Sequence, residues 1–244
     1  MTTQVLAHRG ASFAAPENTM PAFEAAVAAH ADGVELDVHL TSDGEVVVIH
    51  DGTVDRTTNG TGTVHDMPFA QLRELDASMG RAGFSGAKIP TLEEVYRLLQ
   101  PTGLQVNVEL KEEAYDHGFT IIPKVLALEE KCGMQGRVFY SSFNHYALRE
   151  MKQRSPEIRT GLLYAAALVD VWGYAAAVPA DAIHPNFAAL RDPDVVPCCH
   201  EAGIAVRPWT VNEEADLRNM FSQGVDAVIT NDPALALRLR TEYC

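Results

Sequence analysis

GVELDVHL, residues 33–40, is the stretch whose reading decides the fold. Val34, Leu36 and Val38 alternate with Glu35, Asp37 and His39, and a period of two is that of a β-strand. One face is apolar. The other carries three titratable groups, with Glu35 and Asp37 about 7 Å apart at their α-carbons. Such a strand either wets one side or opens into a site, and its neighbours in the chain decide between the two.

Further runs of the same kind recur along the 244 residues: QVLAHR (4–9), LQVNVEL (104–110), RVFYSS (137–142), RTGLLY (159–164), DAIHP (181–185), GIAVRPW (203–209) and VDAVIT (225–230). Most are apolar on both faces, as parallel strands under helices are. Helix starts fall between them. Thr91 with Glu94 forms a capping box, Asn144 opens HYALREMKQR, and Asp232 precedes Pro233 at the head of the last helix. Gly33, Gly103, Gly203 and Gly224 stand where a left-handed residue ends a helix before a strand. About eight β–α units in one chain of this length predict a closed (β/α)8 TIM barrel, α/β in class, spanning residues 1–244 as a single domain. After the turn SDGE a second β-run, VVVIHD, makes a hairpin with the second strand. The rhythm then breaks between His50 and Pro90, and residues 51–89 read as a small inserted cap with one short helix around MPFAQLREL.

Composition bounds the partners. The net charge is −14, so nucleic-acid phosphates and anionic lipid are poor bulk partners. MTTQVLAHRG has neither the basic nor the apolar region of a signal peptide, and no run approaches a membrane span. Cys132, Cys198, Cys199 and Cys244 form no C-x-x-C pair and read as reduced packing thiols. The expectation is a cytoplasmic protein, monomeric or homodimeric, without membrane insertion.

In a TIM barrel the chemistry sits at the C-terminal ends of the strands, and the unusual residues collect there. The first strand ends in His8-Arg9-Gly10, the second carries Glu35 and Asp37, and the hairpin delivers His50 and Asp51. The next strand places Asn107, Glu109 and Lys111 on one face, and later strands end in Phe143 and Trp209. Glu35, Asp37 and Glu109 form an all-oxygen set suited to one divalent cation, Mg²⁺ or Ca²⁺, with Mn²⁺ also fitting. Arg9 and Lys111 add fixed positive charge, so that cation, Arg and Lys together make a trap for a phosphate. His8 and His50 are the candidates for proton transfer. His184 is read as a lesser residue of the mouth, while His30, His65, His117, His145 and His200 read as solvated.

Taken together, AHRGASFAAPENTMPAF (7–23), VELDVHLTSDGEVVVIHD (34–51), NVELK (107–111), SSF (141–143), WTVN (209–212) and GVDAVITNDP (224–233) resemble the glycerophosphodiester phosphodiesterase family, in its short cytosolic bacterial form. The resemblance implies metal ligands at Glu35, Asp37 and Glu109, an acid/base pair at His8 and His50, and phosphate contacts from Arg9 and Lys111. It implies that Phe143 and Trp209 shape the glycerol and leaving-group side, and that Glu17 and Asn18 of PENT close around the site. The implied reaction is metal-dependent hydrolysis of a small glycerophosphodiester to sn-glycerol 3-phosphate and an alcohol. Alternatives are a phospholipase D-like lyase that stops at a cyclic phosphate, and a Mg²⁺-dependent barrel lyase or aldolase on a phosphorylated sugar. Asn144 and Asn231 stand where the family often has other residues, which bears on alcohol preference.

Overall fold

The structure, a computed structural model, describes residues 2–111 and 119–243. His117 and Cys244 lie outside the described residues. The strands are β1 (Gln4–His8), β2 (Gly33–Leu40), β3 (Val46–Val48), β4 (Gln105–Leu110), β5 (Val138–Ser142), β6 (Thr160–Tyr164), β7 (Ala182–Pro185), β8 (Ala205–Val206) and β9 (Ala227–Thr230). All but β3 run parallel, in the order β8-β7-β6-β5-β4-β2-β1-β9, and β3 pairs antiparallel with β2. The seam between β8 and β9 is drawn together by Asp226 N–H to Val206 O and Ile229 N–H to Pro208 O, both 2.9 Å. The result is a nearly closed eight-stranded barrel, as the sequence predicts.

The helices are α1 (Met20–Ala28), α2 (Phe69–Glu74), α3 (Leu92–Leu99), α4 (Ile121–Lys131), α5 (His145–Arg154), α6 (Val171–Ala177), α7 (Val195–Glu201), α8 (Glu214–Gln223) and α9 (Pro233–Arg240). Thr91 and Glu94 close the capping box of α3, Asn144 caps α5, and the Asp232 carboxylate accepts from Leu235 N–H at the head of α9. The core lies in two shells, one between β1–β5 and α1, α3, α4, the other between β6–β9 and α5–α9. Inside the barrel Leu6, Phe139, Ala227 and Ile229 fill the lower cross-section.

Gly33 has a different purpose from the one its position suggests. The left-handed residue after α1 is His30 (φ 59°), whereas a Cβ on Gly33 would lie 2.6 Å from Gln105 O and 2.7 Å from Leu6 Cδ2. It is glycine because β2 passes too close to its neighbours for a side chain. Three aspartates repeat one device at the N-terminal mouth. Asp32, Asp181 and Asp226 stand directly before β2, β7 and β9, and each accepts the N–H of the adjacent strand: Val5, Thr160 and Val206, all at 2.7 Å. Each also meets a basic side chain, Arg240, Lys152 and His200 respectively.

From β3 to α3 the chain builds a separate small apolar cluster of Val47, Ile49, Val54, Val64, Leu72, Ala77 and Ile89, to which α2 contributes Leu72. Among the described residues Cys132, Cys198 and Cys199 are free thiols, and no helix is long and apolar enough to cross a membrane.

Candidate active site

Strand register assembles the site. His8 on β1 stands opposite Glu35 on β2, Glu35 opposite Asn107 on β4, and Asp37 opposite Glu109. Parallel strands put partnered residues on the same face, and here that face is the barrel interior. Glu35, Asp37 and Glu109 are 3%, 0% and 8% exposed, so the acidic face of β2 is not a wet edge. One carboxylate oxygen from each lies within 4.8 Å of the others.

Fixed cations surround only part of this charge. Lys111 Nζ reaches Asp37 Oδ1 at 3.0 Å and also donates to Glu109 Oε1. Arg9 Nε lies 3.4 Å from Asp37 Oδ2, which also accepts from Asn18 Nδ2 at 2.7 Å. Lys111 and Arg9 hold the Asp37 carboxyl well below the usual carboxylate range against the cost of its burial. Burial and the neighbouring carboxylates push Glu35 well up, and burial with Asp37 pushes Glu109 up to about 7. Three buried carboxylates face two cations. Asn107 Oδ1, buried beside them, has no hydrogen-bond partner among the described residues. An all-oxygen donor set short of positive charge fits a hard divalent cation, Mg²⁺ or Ca²⁺ in type, rather than zinc.

The two histidines are held alike. His8 Nδ1–H donates to Asn231 Oδ1 at 2.6 Å, and His50 Nδ1–H donates to Asp51 Oδ1 at 2.6 Å. Both rings line the cleft. With Nδ1 engaged, each leaves Nε2 for a reacting proton. Burial and the Arg9 charge lower His8 to about 4, and burial lowers half-buried His50 below its usual value. Both are neutral near pH 7.

Arg9 takes a left-handed backbone (φ 56°) that turns its N–H onto Glu35 Oε2 at 3.0 Å. Gly10 follows because a Cβ there would meet the Ala22 backbone at 2.6 Å. The PENT turn closes on the same corner: Asn18 N–H donates to Arg9 O at 2.9 Å, and Arg9 Nη1 donates to Glu17 Oε1 at 2.8 Å.

Opposite the charged wall, Phe143, Leu163, Trp209 and Ile229 make an apolar side to the cleft. Phe143 is half-exposed and meets Trp209 edge-on, ring centres 5.6 Å apart. His184 is not at the mouth. It is fully buried beneath the site, where Arg207 Nη1 lies 3.3 Å from its Nε2 and Phe139 packs edge-on. His145 and His200 are tied down as well, His145 to Leu163 O and Tyr174, His200 to Asp226. Sequence reasoning missed the roles of Asn231, which sits under His8 rather than on the alcohol side, and of Arg56 in the insertion. The only signal for Asn231 is its place directly after the strand VDAVIT.

The glycerophosphoryl diester phosphodiesterase family profile matches residues 8–235. The chain is 42% identical over 244 residues to a glycerophosphodiester phosphodiesterase of Caldanaerobacter subterraneus subsp. tengcongensis, covering 98% of each protein. It is 39% identical over 243 residues to one of Bacillus altitudinis, covering 98% of this chain and 99% of that one. Among solved structures, a phosphodiesterase of Oleispira antarctica in complex with the product sn-glycerol-3-phosphate superposes with a TM-score of 0.92 at 31% identity, over 98% of this chain and 96% of that one.

Proposed function

The chain belongs to the glycerophosphoryl diester phosphodiesterase family, and on that premise we propose that it hydrolyses glycerophosphodiesters to sn-glycerol 3-phosphate and a free alcohol with a divalent cation. The carrying observation is the buried Glu35, Asp37 and Glu109 cluster beside two histidines of the same cleft.

Glu35, Asp37 and Glu109 hold the cation, which is Mg²⁺ or Ca²⁺ with Mn²⁺ also fitting the donor set. When bound, the cation supplies Lewis-acid polarisation of the phosphodiester. Arg9 and Lys111 orient the phosphate and stabilise charge developing on its oxygens. His8 and His50, both neutral at rest, divide the proton traffic: one accepts the nucleophile's proton at Nε2, and the other, once protonated, delivers a proton to the leaving alkoxide. Glu17 and Asn18 support Arg9 and Asp37, while Phe143 and Trp209 shape the organic half of the substrate.

Residues 51–89 form a small cap within a single barrel domain of residues 1–244, a reading supported by the apolar cluster to which they contribute five of seven buried residues. The free thiols support a reducing, cytoplasmic compartment. A site drawn from one chain suits a monomer or a homodimer. Neither the cyclic-phosphate lyase nor the sugar-phosphate aldolase is favoured: the family match covers the chain, and Lys111 is engaged by two carboxylates rather than free as a base.

The test is glycerophosphocholine turnover followed as sn-glycerol 3-phosphate. Activity is expected to vanish in EDTA and return with Mg²⁺ or Ca²⁺. Undiminished turnover in excess EDTA would remove the cation from the reaction, and a cyclic phosphate as final product would make the enzyme a lyase.

A further inference from the structure

Arg56 belongs to the insertion and does not line the cleft. Its guanidinium nevertheless grips two carboxylates at once. Nε and Nη2 donate to Asp51 Oδ2 and Oδ1 at 2.7 and 3.0 Å. Nη1 and Nη2 donate to Glu17 Oε2 and Oε1 at 2.9 and 2.8 Å. Each carboxylate is already committed to the site: Asp51 Oδ1 accepts from His50 Nδ1–H, and Glu17 Oε1 accepts from Arg9 Nη1. The chain of contacts therefore runs His50–Asp51–Arg56–Glu17–Arg9. It joins three segments that are otherwise separate, the loop after β1, the end of the hairpin, and the insertion.

We propose that Arg56 is a positioning residue that fixes the His50 ring, through Asp51, from outside the cleft. The proposal rests on the role given above to His50. Only a planar fork holds two carboxylates in fixed planes; an ammonium offers a point charge. Asp51 alone would be free to swing between its partners, and the His50 ring would follow it. With Arg56 in place, Asp51 has one plane and His50 one orientation. Arg56 is 43% exposed along its side chain, so its loss should cost the fold little. Its effect belongs in turnover.

The experiment compares R56Q, R56K, D51N and the double variant R56Q/D51N in saturating Mg²⁺ with glycerophosphocholine, alongside NMR of the His50 Nδ1–H proton, identified by its loss in H50N. R56Q is expected to lower kcat roughly 10–100-fold, the usual cost of removing an orienting partner, with KM changed far less. Thermal midpoint and Mg²⁺ affinity should stay near those of the unaltered protein. R56K should recover part of kcat. R56Q should broaden the His50 proton into the solvent signal, and in the double variant R56Q should add no more than about twofold to the loss caused by D51N. An unchanged His50 proton in R56Q, or losses that multiply in the double variant, would overturn the proposal. Wild-type kcat in H50N would instead overturn the catalytic role of His50, and the proton signal would still decide whether Arg56 holds the ring.

Discussion

Asn231 holds His8 through a neutral amide, whereas Asp51 holds His50 through a carboxylate. A carboxylate favours the imidazolium; an amide does so only weakly. Asn231→Asp should therefore raise His8 from its value of about 4, moving the acidic limb of kcat/KM to higher pH, which a pH–rate profile reads directly. His8→Ala and His50→Ala should each cut kcat by about 10²–10⁴-fold while substrate still binds. A nitrophenolate leaving group should rescue whichever histidine serves as the acid, and rescue of neither would refute the division of labour. Cation binding must displace the proton on Glu109, whose carboxyl is pushed up to about 7 by burial and Asp37. Mg²⁺ affinity should thus rise as pH climbs through 7, as titration calorimetry at pH 6 and 8 would show, and Glu35→Gln should abolish binding and turnover together. The ionisable members of the site were readable in the sequence because each is an expensive group at the end of an apolar strand. Asn231 and Arg56 were not. Both are ordinary loop residues, and their meaning comes from which imidazole or carboxylate the fold brings to them.

For strands and helices, local chemistry was a good guide wherever it depends on near neighbours. The capping box of Thr91 and Glu94 and the caps at Asn144 and Asp232 form as the sequence implies. Gly33 misled because its reason is a neighbouring strand, and Gly33→Ala should destabilise through contact with the Gln105 backbone, which cannot retreat without breaking the β2–β4 register. The aspartate before β9 was likewise unreadable, since the N–H it accepts lies 20 residues away in the chain. Asp226→Ala leaves that Val206 N–H without its partner at the seam of the barrel. A loss of about 1–3 kcal/mol follows, or a fall in thermal midpoint of very roughly 2–12 °C for a chain of this size. Calorimetry should find the same direction for Asp32→Ala and Asp181→Ala, which remove the equivalent clamps at β1 and β6.

Across the whole molecule, charge and shape divide the substrate in two. On the proposed function the phosphate side belongs to Arg9, Lys111 and the carboxylate cluster, while the other wall is Phe143, Leu163, Trp209 and Ile229, which among the described residues bring no charge to read a head group. Selectivity is a difference of transition-state contacts, so kcat/KM for choline, ethanolamine, glycerol and serine diesters should agree within about tenfold. A net charge of −14 gives no pull toward anionic vesicles, and diacyl lipid presented in them should be a poor substrate. The barrel itself was legible because its rhythm repeats; the segment between β3 and α3 showed only as an interruption, since short irregular segments carry no period. The apolar cluster that residues 51–89 share with Val47 and Ile49 has seven buried residues, against more than twenty in either shell of the barrel wall. A core that small has a lower local opening free energy than the barrel it rests on. On warming, the segment that carries Arg56 should open while the barrel is still closed. Turnover should then fall reversibly below the calorimetric transition, and amide hydrogens of Val54, Val64 and Leu72 should exchange with solvent deuterium well before those of Val34, Leu36 and Val108. In this protein the upper temperature of activity is set by the small core beneath Arg56 rather than by the barrel.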